Sequence, residues 1–175
     1  NWRNPLRRSL HSLLLISGLM PLAAPTTANL GGDFPVADGV VVEKADRKLH
    51  LFKDGDVIRT YEIALGMVPV GDKQREGDFR TPEGRYMLDA RNPNSDFFLS
   101  LHISYPNADD RRQAASRGEK PGSAIMIHGQ PNTPNYSETY YRTQDWTNGC
   151  IAVSNSDMID IWLMTPDNTP IEIRP

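Results

Sequence analysis

From residue 40 onward, apolar and polar residues alternate along the chain in a pattern that predicts β-strands. Residues 40–42 are a β-branched run, and residues 49–52 alternate before Asp54-Gly55, a dipeptide typical of a tight hairpin turn. The period-two pattern resumes over residues 57–65. Further strands are predicted over residues 85–90, 97–104, 124–128 and 171–174. The pattern therefore predicts a mainly β domain.

Two segments interrupt this pattern with helix signals. Asn107 is a favourable N-cap for a helix over residues 107–117, and the acidic residues that follow suit the positive end of a helix. Ser154 and Asp157 have the spacing of a capping box, which predicts a second helix over residues 155–164. The Pro-, Asn-, Tyr- and Thr-rich segment from Gly129 to about residue 145 is predicted to be a long loop. We expect one β-sandwich or barrel-like domain with two short helices.

The first 28 residues have the composition of an export signal. A basic start with three arginines precedes the mostly apolar residues 10–22, and small residues follow. This apolar run is shorter than the roughly 20 residues that span a bilayer, so a retained membrane anchor is the less favoured alternative. The sequence therefore predicts a signal peptide over residues 1–28, a lead-in over residues 29–37 and a folded domain over residues 38–175. We expect the mature protein to be exported to the periplasm without a stable membrane span.

Charge and cysteine content exclude several classes of function. The formal net charge is −3, and it becomes −6 when residues 1–28 are removed, because they contain three arginines and no acidic residue. This balance gives no electrostatic reason to expect nucleic-acid binding. The single cysteine, Cys150, excludes an internal disulfide and a multi-thiolate zinc site. In an exported protein such a cysteine suggests a reactive thiol or an intermolecular bond, and the alternative is a buried, inert side chain.

The residues that could carry chemistry lie between His128 and Cys150. His128 ends an apolar strand, and the carbonyl of the next residue, Gly129, could orient its imidazole. The backbone amides of Asn148, Gly149 and Cys150 could converge on one point, as an oxyanion hole requires. Each feature also has an ordinary structural interpretation: His128 could be a core histidine, and Asn-Gly is a common turn pair. His50 and His102 lie inside alternating strands and are interpreted as packing residues.

Taken together, these features resemble the signature of the L,D-transpeptidases, the family with the YkuD-type catalytic domain. The matching residues are Ile127-His128-Gly129, followed after 17 residues by Thr147-Asn148-Gly149-Cys150-Ile151. Thr81-Pro82-Glu83-Gly84 resembles the Thr-Pro-x-Gly turn of the family. Residues 101–107 and Trp146 resemble the short periplasmic YafK-type subgroup. The resemblance covers residues 38–175, and it implies an L,D-transpeptidase catalytic domain there.

The resemblance implies a role for each matched residue. Cys150 matches the nucleophile, His128 the general base and Gly129 the residue whose carbonyl orients that base. The amides of Gly149 and Cys150 match the oxyanion donors, and Asn148 is a further backbone candidate. The implied reaction is attack on a carbonyl of a peptidoglycan stem peptide, through a thioacyl-enzyme and without a metal or cofactor. A three-histidine metal site is an alternative that no close pair of histidines supports.

Two positions depart from the family pattern. Asn148 replaces a second histidine, and Ala152 replaces an arginine that many members carry. Another cation would then have to bind a substrate carboxylate, and Arg80 and Arg142 are the candidates, with Trp146 flanking the substrate.

Three functions therefore remain open. The first is transpeptidation that cross-links the wall or attaches a protein to it. The second is hydrolysis that releases a wall-bound lipoprotein, and the third is a non-catalytic wall-binding module. A papain-like peptidase fits poorly, because its cysteine precedes its histidine.

Overall fold

Eight strands and three helices make up residues 35–175, the part of the chain that the computed structural model describes. The predicted signal peptide and most of the lead-in lie outside these residues. In chain order the elements are β1 (Gly39–Glu43), β2 (Lys48–Lys53), β3 (Asp56–Glu62), β4 (Gly84–Ser95), β5 (Phe98–Ile103), α1 (Ala108–Ser116), β6 (Met126–His128), α2 (Glu138–Thr143), β7 (Ile151–Ala152), α3 (Asn155–Met164) and β8 (Thr169–Arg174).

All eight strands belong to one curled sheet in the order β3-β2-β1-β8-β4-β5-β6-β7. Neighbouring strands are antiparallel except for the parallel pairs β1–β8 and β6–β7. The two ends of the sheet meet where Ala64, just after β3, exchanges two backbone hydrogen bonds of 2.8 Å with Ala152 of β7. This closure removes an exposed sheet edge, and it confirms the predicted mainly β, barrel-like fold.

The core fills the inside of the curled sheet. Strands β1, β2 and β8 bury alternate residues, as the period-two pattern predicts. Helix α3 contributes one apolar stripe at a spacing of three residues. The fully buried side chains at the centre include Val42, Leu49, Leu51, Ile103, Ile127, Ile151, Met158, Ile161 and Met164.

The two predicted helices are present, and a third helix was missed. At α1, Asn107 and Asp110 form a complete capping box. At α3, Ser154 accepts a hydrogen bond from the amide of Asp157, but only this half of the predicted box forms. The Asp157 side chain lines a surface cavity instead. No helix within residues 35–175 is long and apolar enough to cross a bilayer.

Helix α2 corrects the prediction of an uninterrupted loop after Gly129. Its tyrosines and threonines have modest helix propensity, which gave the sequence pattern no helical signal. The hydroxyl of Ser137 caps the helix by accepting a hydrogen bond from the amide of Tyr140 at 3.2 Å. The ring of Tyr141 is buried and stacks edge-on against Trp146 at 5.0 Å, so tertiary packing holds this segment in a helix.

Candidate active site

The parallel pair β6–β7 brings His128 and Cys150 together. Ile127 pairs with Ile151 and His128 with Ala152, so Cys150, one residue before β7, is a diagonal neighbour of His128. Alternate residues of a strand point to the same face, and both side chains therefore lie on one side of the sheet. They line a common cavity of about 390 Å³. The backbone register thus places a thiol and an imidazole in one cavity.

One hydrogen bond orients the imidazole of His128. Its Nδ1 lies 2.7 Å from the carbonyl oxygen of Gly129, which makes Nδ1 the donor and leaves the lone pair on Nε2. The ring packs against both Phe97 and Trp146, at centroid distances of 4.6 and 5.6 Å. Burial lowers the pKa of His128 to about 4, although the Gly129 bond partly opposes this shift. The imidazole is therefore neutral near pH 7 and able to accept a proton.

The thiol of Cys150 is also neutral at rest. Burial raises its pKa above the ordinary value, while the amide of Met126 and the charge of Lys73 act in the opposite direction. The sulfur contacts the carbonyl oxygen of Ala124 at 3.6 Å, so the thiol donates its hydrogen bond there and not to His128. Both groups are thus uncharged at rest.

The loop before Cys150 is held from both sides. The hydroxyl of Thr147 accepts a hydrogen bond from the amide of Gly149 at 3.1 Å and donates one to the carbonyl of Cys150 at 2.7 Å. The amide of Gly149 is therefore occupied, whereas within residues 35–175 no acceptor binds the amide of Cys150. Asn148 is exposed and lines the cavity. Of the predicted oxyanion donors, the amides of Asn148 and Cys150 are the two without an acceptor within residues 35–175.

Gly149 is needed for this loop geometry. Its φ of +130° is unfavourable for a residue with a side chain, and an added Cβ would lie 2.6 Å from the carbonyl oxygen of Arg80. The loop that carries Arg80 can therefore pass directly behind the residue that precedes the thiol. Gly129 is similarly confined, because a Cβ there would lie 2.5 Å from Oδ1 of Asn155.

Comparison with known proteins identifies the family of the domain. The profile of the YkuD family, described as an L,D-transpeptidase catalytic domain, matches residues 37–173. The chain belongs to the L,D-transpeptidase family. It is also 33% identical over 96 residues to YafK of Escherichia coli (strain K12), a protein that is named as an L,D-transpeptidase. That match covers 51% of this chain and only 37% of YafK, so the chain spans well under half of this relative.

Solved structures share the fold. The helical cell shape determining protein Pgp2 from Campylobacter jejuni, in its K307A form, aligns with a TM-score of 0.57 and 26% identity, covering 82% of this chain and 51% of that one. Bd1075 from Bdellovibrio bacteriovorus aligns with a TM-score of 0.54 and 25% identity, covering 81% and 51%. An L,D-transpeptidase from Mycobacterium smegmatis, at 14% identity, a TM-score of 0.54 and coverage of 79% and 59%, shares the fold alone.

The predicted substrate-binding residues of this L,D-transpeptidase domain lie in different places. Trp146 lines the cavity of His128 and Cys150, and its indole N–H donates to the carbonyl of Tyr141 at 3.1 Å. Arg142 lines a separate cavity beside α2, and Arg80 directs its guanidinium toward the carbonyl of Asp72 at 3.3 Å. Neither arginine is among the residues that line the cavities containing Cys150. Their role with a substrate carboxylate remains a prediction.

The other two histidines within residues 35–175 are not core residues, which corrects the packing interpretation. His50 of β2 and His102 of β5 are half-buried on the outer face of the sheet, because the apolar residues beside them take the inner face. His50 contacts Thr60 Oγ1 at 2.8 Å, and His102 contacts Asp89 Oδ1 at 2.6 Å. Within the described residues, no group of three or more histidine, cysteine or acidic side chains is placed to hold a metal.

No role was predicted from the sequence for three residues of the site. Phe97 stacks on His128, Thr147 holds the loop, and Lys73 lines a second cavity that contains Cys150. Thr147 stands inside the recognised motif, where its position next to Asn148 was the available signal. Phe97 and Lys73 are distant in sequence from both catalytic candidates, and no spacing rule connects them to the site.

Proposed function

We propose that this chain is a peptidoglycan L,D-transpeptidase that acts through a thioacyl-enzyme on Cys150. Family membership supports the class of reaction. The observation that carries the assignment of residues is the shared cavity of Cys150 and His128, with the Nδ1 of His128 bound to Gly129 at 2.7 Å. That bond leaves the lone pair on Nε2 of the neutral ring. The second nitrogen can therefore act only as a proton acceptor.

The two half-reactions then use the same pair of groups. Nε2 of His128 takes the thiol proton while the sulfur bonds to the stem-peptide carbonyl carbon, and the carbonyl oxygen becomes an oxyanion near the amide of Cys150. When the C–N bond breaks, the imidazolium returns the proton to the leaving amine and a thioester remains. An acceptor amine then attacks the thioester, loses its proton to His128, and releases the Cys150 sulfur, which is protonated again.

The cell-wall setting is part of this proposal. The similar proteins include one named for determining helical cell shape, which supports a wall polymer as the substrate. An exported, periplasmic location would bring the enzyme to peptidoglycan, and residues 1–28 have the composition to direct it there. The acceptor amine would come from a second stem or from a wall-attached lipoprotein.

The test is to incubate the purified protein with isolated sacculi and analyse the muropeptides by mass spectrometry. We expect new cross-linked dimers with the wild type and none with Cys150→Ala or His128→Ala. His102→Ala is the matched control, because His102 lies outside the cavity and the variant should retain activity. Wild-type activity in His128→Ala would contradict the assignment of the base.

Hydrolysis is the second candidate, in which water attacks the same thioester in place of an amine. Ala152 is buried at the position where many family members carry arginine, so the donor and acceptor can differ from those of the cross-linking members. Release of stem peptides or of a wall-bound lipoprotein, without dimers, would establish hydrolysis in place of transfer. No change in the muropeptides and no acylation of Cys150 would instead support a non-catalytic wall-binding module.

A further inference from the structure

A buried lysine stands in the loop between β3 and β4. Lys73 is 6% exposed, and its ammonium donates to Oδ1 of Asp78 at 2.8 Å and to the carbonyl of Arg75 at 3.1 Å. Burying a charge is costly unless it is paired and hydrogen-bonded, so this arrangement must fix the ammonium in place. Two of its three N–H groups are used by these acceptors.

Asp78 is itself held rigidly. Besides the lysine, its carboxylate accepts hydrogen bonds from the amides of Gln74, Arg75 and Arg80, at distances of 2.7 to 3.1 Å. Burial alone would raise the pKa of Asp78, but these hydrogen bonds outweigh it and the pKa is lowered. Asp78 is therefore ionised at neutral pH, and the Lys73–Asp78 pair is an ordered pair of opposite charges.

This pair adjoins the nucleophile. Lys73 and Cys150 line the same cavity of about 260 Å³, which shares Ala124, Asn148 and Cys150 with the cavity that contains His128. Gly122 permits the close packing there: its φ is +84°, and an added Cβ would lie 3.3 Å from the Cα of Glu76 and 3.6 Å from the Cε of Lys73. The segment around Gly122 therefore covers the lysine stem and limits screening by water.

We propose that Lys73 is a positioning residue that holds a fixed positive charge near the cavity it shares with Cys150 and favours the thiolate form of the sulfur during attack. The proposal deepens the proposed function, because it rests on Cys150 as the nucleophile. The thiol proton still passes to Nε2 of His128, and Lys73 neither donates nor accepts a proton. Its ammonium stabilises the negative charge that develops on the sulfur as the proton leaves and the new C–S bond forms.

The other charged groups around the thiol do not supply this effect. The cavity of His128 contains the exposed carboxylate of Asp96, and the second cavity contains the exposed carboxylate of Glu76. Both would disfavour a thiolate, though solvent screens them. Lys73 is the one lysine or arginine side chain among the described residues that line either cavity. The effect of its charge on the pKa of Cys150 has the sign that the proposal requires.

The chain has a single cysteine, so thiol alkylation reports on Cys150 alone. The experiment measures the rate of alkylation of the whole chain by iodoacetamide as a function of pH. Lys73→Gln removes the charge but keeps a donor for Asp78, and it should raise the apparent pKa of Cys150 by about one unit. Below that pKa, alkylation should slow by up to about tenfold. Lys73→Arg should restore the wild-type profile, and the exposed Lys53→Gln is the matched control.

Asp78→Asn distinguishes an electrostatic effect of the Lys73–Asp78 pair from a change in the structure of its loop. The single carbonyl oxygen of the variant side chain can keep the bonds from the amides of Gln74 and Arg75 but not the one from Arg80. The variant removes the negative charge behind Lys73, so the pKa of Cys150 should fall. A loop that merely loses its shape would shift both variants in the same direction. The proposal is overturned if Lys73→Gln, folded by circular dichroism, keeps the wild-type profile, or if both variants raise the pKa. Alkylation needs no peptidoglycan, so a protein that shows these opposite shifts yet leaves sacculi unchanged would refute the proposed function alone.

Discussion

The imidazole of His128 combines deep burial with a single fixed tautomer. Only 4% of the residue is exposed, and its pKa of about 4 means that the ring is neutral near pH 7. The raised pKa of Cys150 makes its partner neutral as well. An uncharged pair has little to lose by desolvation when a peptide covers it, so proton transfer can accompany attack on the substrate.

Burial of His128 has a consequence for stability that depends on pH. Because its pKa is about 6.5 in the unfolded chain and about 4 in the folded one, the unfolded state binds the proton more tightly. The contribution to stability is complete above pH 6.5, declines as the pH falls toward 4, and amounts to about 3 kcal/mol. Urea unfolding of the wild type and His128→Gln should therefore show that the variant loses less stability between pH 7 and pH 4. Equal losses would contradict the burial of a neutral imidazole.

At the scale of single residues, the sequence predicted the motif but not the residues that surround it. Cys150, His128 and Gly129 could be predicted because the motif is short and the cysteine is unique in the chain. The burial of Lys44 and Lys73 could not be predicted, because lysine is rarely buried and its partners are set by the fold. Lys44 of the loop after β1, for example, pairs with Glu83, 39 positions away.

Among the elements, the long loop between β3 and β4 depends most on a single side chain. Lys44 is 2% exposed, and its ammonium donates to the carbonyls of Gly71 and Thr81 and to the carboxylate of Glu83, at 2.7, 3.0 and 2.8 Å. All three of its donors are used. The hydroxyl of Thr81 in turn accepts a hydrogen bond from the amide of Gly66 at 3.1 Å. Through Thr81, Lys44 therefore connects the start of the loop with its end. The same loop passes behind Gly149.

Removing this lysine should therefore destabilise the domain strongly. Lys44→Met leaves Glu83 and two carbonyls without their cation, and breaking a buried pair in this way costs about 3–5 kcal/mol. The matched control is Lys48→Met, because Lys48 pairs with the exposed Glu62 and such surface pairs contribute about 1 kcal/mol or less. Denaturant unfolding gives the free energies of both variants. Equal destabilisation would show that Lys44 does not hold the loop.

Elements with local signals were predictable, and those formed by distant contacts were not. The Asp54-Gly55 turn has positive φ at both residues, as its hairpin signal indicates, and the cap of α1 is present. By contrast, α2 depends on the packing of Tyr141 against Trp146, and the parallel pairing of β1 with β8 joins strands about 130 residues apart. No local pattern reports contacts of that kind.

For the whole molecule, closure of the sheet is what assembles the site. The segment after β3 pairs with the loop before Cys150, where the amide of Met67 donates to the carbonyl of Thr147 at 3.0 Å. Asp145 in that loop is bound by the guanidinium of Arg47, at 2.8 to 3.1 Å, and by the amide of Leu65. The thiol is thus fixed by both ends of the curled sheet, and His128 is presented by the strand beside it.

The central claim is that Cys150 forms a covalent acyl-enzyme with the help of His128. The most direct measurement is the intact mass of the protein after incubation with imipenem, a β-lactam that acylates an activated thiol, followed by peptide mapping of the adduct. We predict one adduct per chain, on Cys150, formed by the wild type, absent from Cys150→Ala, and much slower to form in His128→Ala. An unmodified wild type, or an adduct that persists in Cys150→Ala, would contradict the account.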